Sequence, residues 1–161
     1  MTSNSLLKNI LKRAINKFYQ KDGILLENNL EGMERSCVFR IGIYLQELMD
    51  VHIEFNELNL DCEYNKSNSG RKILEGEPVI PDLILHKRNL NNPIANDNNT
   101  MIVEFKGHWN HNEYGDYNKL ENFTLQNGEY GYQLGVFVKL KENNYELKYF
   151  KNGQEVEEND L

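Results

Sequence analysis

Asp82, Glu104 and Lys106 are the residues whose types and spacing could do chemistry. Asp82 lies in Val79-Ile80-Pro81-Asp82-Leu83-Ile84-Leu85-His86, and Glu104 and Lys106 flank Phe105 in Met101-Ile102-Val103-Glu104-Phe105-Lys106-Gly107. Both runs are rich in β-formers and bounded by Pro, Gly and Asn, which predicts short buried strands joined by a hairpin-length connection. Alternation puts Glu104 and Lys106 on one face and Val103 and Phe105 on the other, and groups Asp82 with Ile84 and His86. If the strands are neighbours, two acids and a lysine converge near the end of an apolar sheet. Leaving such charges desolvated and uncompensated costs on the order of several kcal/mol each. A divalent cation offsets that cost. Two carboxylates with open water positions suit Mg²⁺, with Mn²⁺ as a substitute. The lysine can orient a water or neutralise charge building on a phosphate. Together they suit metal-assisted hydrolysis of a phosphodiester; the plain alternative is an ion pair at a strand end.

These residues carry a resemblance. Pro81-Asp82 followed, with 21 residues between the acids, by Glu104-Phe105-Lys106 resembles the core motif of the PD-(D/E)XK nuclease superfamily. The likeness covers roughly residues 31–140 and is greatest to small prokaryotic and phage members with a Glu-Tyr-Asn strand, here Glu63-Tyr64-Asn65. It implies a restriction-endonuclease-like α/β core, a central mixed sheet flanked by helices, with an extra N-terminal helix and a C-terminal hairpin. It also implies a nuclease acting on nucleic acid, most directly DNA, in which Asp82, Glu104 and the main-chain carbonyl of Phe105 hold Mg²⁺ and Lys106 positions the attacking water. Glu34, from the first core helix, and Glu63 are the further acids it brings in. Lys119, in a Lys-Leu pair after Asp116, is the lysine that would face the site or the substrate from the second helix. The alternatives are an RNA substrate and a catalytically inactive module that keeps the fold and docks partners.

Length and composition bound these readings. A chain of 161 residues is expected to form one domain with a real core, and nine Tyr and seven Phe supply apolar bulk. No run approaches the roughly 20 apolar residues of a membrane span, and no signal peptide is expected, so the reading is cytoplasmic without a membrane role. Cys37 and Cys62 read as reduced core residues. The formal charge of −7 weighs against nucleic acid, whose phosphates call for Lys and Arg. Lys8, Lys12, Arg13, Lys17 and Lys21 stand in an N-terminal segment without acids, so subtracting their five charges leaves −12 for the remainder.

The elements that must position the acids follow. Leu6, Leu7, Ile10, Leu11, Ala14, Ile15, Phe18 and Tyr19 predict a basic amphipathic helix that fills most of the N-terminal segment 1–22 and follows a Ser5 cap. Its basic face reads as solvated, as a strip for phosphate, as a membrane-surface face, or as a homodimer or partner-protein contact. A second helix is expected over 31–49, with Glu34 in its first turn, where the helix dipole also favours an acid. A strand over 58–65 puts Asp61 and Glu63 on one side. Residues 67–77 read as a flexible loop over the site, offering Arg71 and Lys72 to phosphate. His86 reads as a surface residue at a strand end or as a partner for a carboxylate. Residues 89–100, with six Asn, read as a solvated loop. His108 and His111 lack the further ligands zinc requires, and Trp109 reads as core or as a base-stacking residue. Gly115-Asp116 reads as a cap for the second core helix, residues 130–140 as a buried strand, 145–150 as the last strand, and 155–161 as a frayed acidic tail.

Overall fold

The computed structural model describes residues 2–27, 32–67, 70–88 and 99–161. Helix α1 runs Asn4–Asp22, capped by Ser3, whose hydroxyl accepts from the Leu6 amide, so the cap lies two residues before the expected Ser5. Its period-3.6 stripe of Leu7, Ile10, Leu11, Ala14, Ile15 and Phe18 is wholly buried. α2 runs Glu34–Met49 and buries Cys37, Val38, Ile41, Tyr44 and Leu45. The connection the sequence places at 23–29 begins as a single turn of 3-10 helix, Gly23–Leu26; residues 28–31 lie outside the described set.

Six strands form the central sheet: β1 Asn59–Cys62, β6 Leu83–His86, β7 Asn99–Gly107, β8 Leu134–Leu140, β9 Tyr145–Lys151 and β10 Gln154–Val156, in that spatial order. β7 and β8 are parallel and every other pairing is antiparallel. The parallel pair is joined by α3, Tyr114–Thr124, as a parallel connection demands. The fold is therefore a mixed sheet with α1 and α2 on one face and α3 on the other. Leu83, Leu85, Met101, Val103 and Phe105 face α1 and α2, whereas Ile84 and Ile102 join Leu120, Phe123, Tyr132 and Phe137 beneath α3. Alternation along β7 thus sends Glu104 and Lys106 to the α3 side.

Several elements differ from expectation. The strand placed over 79–86 begins only at Leu83, so Asp82 sits in a bend just before β6. β1 stops at Cys62 because Glu63 turns left-handed, with φ of 49°, which breaks the alternation assumed for 58–65. The loop of 67–77 is largely laddered: β2 Lys66–Ser67 pairs with β3 Gly70–Arg71, and β4 Ile73–Leu74 with β5 Glu77–Pro78. The connection at 89–98 lies outside the described residues. The acidic tail docks instead of fraying, with Lys8 and Lys12 both on Glu158. Lys17 pairs with Glu47, so three of the five cations of the α1 basic face have acidic partners within the chain. No helix among the described residues is long and apolar enough to cross a membrane.

Candidate functional site

The register of β6 against β7 brings the acids together. Leu83 lies opposite Val103 and Ile84 opposite Ile102, so one further step sets Asp82 against Glu104. At that step the ladder ends. β7 still presents main-chain amides toward the side that β6 has left, and such donors must find partners if buried. The Phe105 amide donates to Asp82 Oδ2 at 2.7 Å, and the Gly107 amide donates to Glu34 Oε2 at 2.7 Å. Asp82 and Glu34 therefore stand in a row along the open edge of β7, the first supplied by the bend before β6 and the second by the first turn of α2.

On the α3 side, Glu104 is 1% exposed. Lys119 Nζ donates to its Oε2 at 3.0 Å, while Oε1 is buried with no hydrogen-bond partner. Asp116, in the first turn of α3, ties the cluster together: its Oδ1 accepts from Lys119 at 3.4 Å, and its Oδ2 forms a 2.8 Å ion pair with Lys106. All four members are largely buried, so these contacts are far less screened than surface pairs.

Burial and proximity shift the acids upward. Burial, opposed by the Phe105 amide and Lys119, pushes the Asp82 carboxyl up to about 6. Burial, reinforced by the charge of Asp82, pushes Glu104 up to about 8 despite Lys119. Desolvation acts against both lysines but is outweighed by Asp116 for Lys106 and by Glu104 for Lys119, so each ammonium titrates above its ordinary value. Two carboxyls raised above their ordinary values beside two lysines held charged make a coupled ionisable cluster, of the kind found at functional sites and in structural ion-pair networks alike.

No family model, curated protein or solved structure matches the chain.

Among the described residues no three His, Cys, Asp or Glu side chains gather as a metal cage. Mg²⁺ does not require one: it keeps several waters and is bound through one or two carboxylates. Asp82 and Glu104 meet that demand, and the unpartnered Glu104 Oε1 is an acceptor without a protein donor. The donor set fits the ion.

The structure treats the other candidates differently. Lys119 joins the site, and Glu34 borders it through Gly107. Glu63 donates its amide to the Asp82 carbonyl at 3.1 Å, which makes its segment the neighbour of Asp82, but its carboxylate turns outward to Arg35 at 3.1 Å. Arg71 is exposed. Lys72 is not: it is buried, with its ammonium 2.5 Å from the Lys66 carbonyl and over the Tyr64 ring, and burial pulls it down to about 8. His86 is likewise buried, 2.7 Å from Asp61 Oδ2, and is not a surface residue. Trp109 packs against the core over Gly107. The residue sequence reasoning missed is Asp116, read as a cap although Glu113 holds the cap position. Its signal was the three-residue spacing to Lys119, which puts both on one helical face.

Proposed function

We propose that this chain is a metal-dependent nuclease of the restriction-endonuclease-like type, hydrolysing phosphodiester bonds, with DNA as the favoured substrate. The observation that carries the reading is Asp82 set against Glu104 where β6 ends, with an oxygen of Glu104 left without a partner. The element order supports it as well: with the short β2 to β5 set aside, α2, β1, β6, β7, α3, β8 is the helix, three strands, helix, strand order that the resemblance implies. Asp82 and Glu104, with the main-chain carbonyl of Phe105, would hold Mg²⁺. When bound, the ion supplies polarisation of a phosphoryl oxygen and a more acidic water. Lys106 positions that water or meets the charge on the phosphate, and Asp116 fixes where its ammonium stands. Glu34 holds the amide of Gly107 and so steadies the end of β7.

Circular, linear and single-stranded DNA incubated with Mg²⁺ or Mn²⁺ test the proposal. Wild type is expected to cut, and Asp82→Ala, Glu104→Ala and Lys106→Ala to lose cleavage while keeping the fold by circular dichroism. Equal cutting by all four would mean a contaminating nuclease. RNA in the same panel distinguishes the two polymers. A second reading, an interaction module without catalysis, draws support from the way Lys119 and Lys106 already neutralise Glu104 and Asp116. Calorimetry separates them, since that module predicts no saturable, Asp82-dependent binding of Mg²⁺.

A further inference from the structure

Asp82 and Glu34 also face a second space. A cavity of about 410 Å³ opens beside them between α2 and the ends of β1 and β6, and is lined by Glu34, Arg35, Val38, Phe39, Cys62, Glu63, Ile80 and Asp82. Its lining combines three carboxylates, of which Glu63 is paired with Arg35, with the apolar side chains of Val38, Phe39 and Ile80. Phe39 is 59% exposed and Ile80 48% exposed, so both offer apolar surface to this space. Arg35, one turn before Phe39 on α2 and 90% exposed, reaches across the mouth to Glu63.

We propose that this cavity seats one unpaired nucleotide next to the scissile phosphate, its base against Phe39 and Ile80 and its phosphate against Arg35, which makes the substrate a single strand or an unstacked end. The inference rests on the nuclease reading and adds the substrate's form to it. A volume of about 410 Å³ falls in the range of small-molecule sites and suits one nucleotide, while a base within a duplex must first leave its stack to enter. An aromatic face with an arginine beside it is the usual means of holding a base without reading its sequence. Charge favours the same substrate. Duplex binding draws on many phosphate contacts, and among the described residues the lining of this cavity offers Arg35 as its one cation, within a chain of net charge −7. Glu63 is offset by Arg35, but Asp82 and Glu34 repel the phosphate unless a divalent cation lies beside them, so entry of the nucleotide depends on the cation.

Cys62 provides a readout independent of cleavage. It is exposed and lines the cavity, while Cys37, the other thiol, is buried. The intact chain is treated with a fluorescent maleimide in Ca²⁺, a hard cation in place of Mg²⁺, with a single-stranded oligodeoxynucleotide or the matching blunt duplex, each run on a gel to verify that it stays uncut during labelling. The single strand is expected to slow labelling of Cys62 at least fivefold and the duplex less than twofold. Phe39→Ala is expected to lose this protection and weaken single-strand binding about tenfold, and Phe39→Trp to retain both. Equal protection by strand and duplex, or none by the strand, overturns the inference. Cleavage by wild type alongside either of those results leaves the nuclease reading standing. Absence of cleavage and of Asp82-dependent Mg²⁺ binding removes that reading, whatever the labelling shows.

Discussion

The Lys106 ammonium is held 2.8 Å from Asp116 Oδ2, so a strand residue takes its position from the crossover helix. Asp116→Asn keeps the shape and removes the charge. Cleavage is expected to fall by about 10²-fold, the scale set by small misplacements of a reacting group. Because Asp116 raises the Lys106 pKa against the pull of burial, the alkaline limb of the rate profile should also move to lower pH. Single-turnover rates across pH check both. A lowered rate with an unmoved limb would make Asp116 structural only.

Glu104 sets a pH dependence on the cation-free protein. Burial, then the charge of Asp82, raises its folded pKa from 4.5 to about 8, so between those values the folded chain holds a proton that the unfolded chain has released. Its contribution to stability is full below pH 4.5 and is lost as pH rises through about 8. In EDTA, thermal midpoints should therefore fall from pH 5 toward pH 8.5, and Glu104→Gln should flatten the curve and lie above wild type at its alkaline end. A parallel decline in both proteins would contradict the assignment.

Gly107 has no room for a side chain. A Cβ there would lie 2.4 Å from Trp109 Cε2 and Cζ2, and the indole is wedged against the core. Gly107→Ala is expected to cost about 1–3 kcal/mol by urea unfolding, the scale of overpacking. Adding Trp109→Leu should recover part of that loss. Additive losses in the double variant would show that the ring is not what the methyl meets.

Lys72 carries its charge inward. Its ammonium rests on the Lys66 carbonyl and the Tyr64 ring, so it is not presented to a phosphate backbone. Lys72→Met should leave oligonucleotide affinity, and the slope of that affinity against salt, unchanged in a filter-binding titration. A slope reduced by about one unit would place a phosphate on it.

The sequence made the central trio legible because Pro-Asp and Glu-x-Lys each sit in an apolar run, and apolar runs become neighbouring strands. It also made the two faces of β7 legible, since Met101, Val103 and Phe105 alternate with Ile102 and Glu104 toward different helices. Glu63 escaped because alternation assumes extended backbone, and its left-handed φ turns the carboxylate to Arg35. Lys72 escaped because short ladders between polar residues carry no periodicity, and only cross-strand pairing folds its side chain under Tyr64. Asp116 escaped because a carboxylate near a helix start suits the dipole wherever it points; that it lies under Lys106 depends on how α3 crosses the sheet.

The late start of β6 has a chemical origin in one imino acid. Continuing the register past Leu83 and Asp82 puts Pro81 opposite Phe105. Proline has no amide hydrogen to offer, so the Phe105 carbonyl gains no ladder partner from it. The ladder between β6 and β7 therefore gains no such rung at Pro81, and the Phe105 amide is met by the Asp82 carboxylate instead. A residue with an amide hydrogen here would restore that donor, and with it one more rung of sheet in place of the bend that presents Asp82.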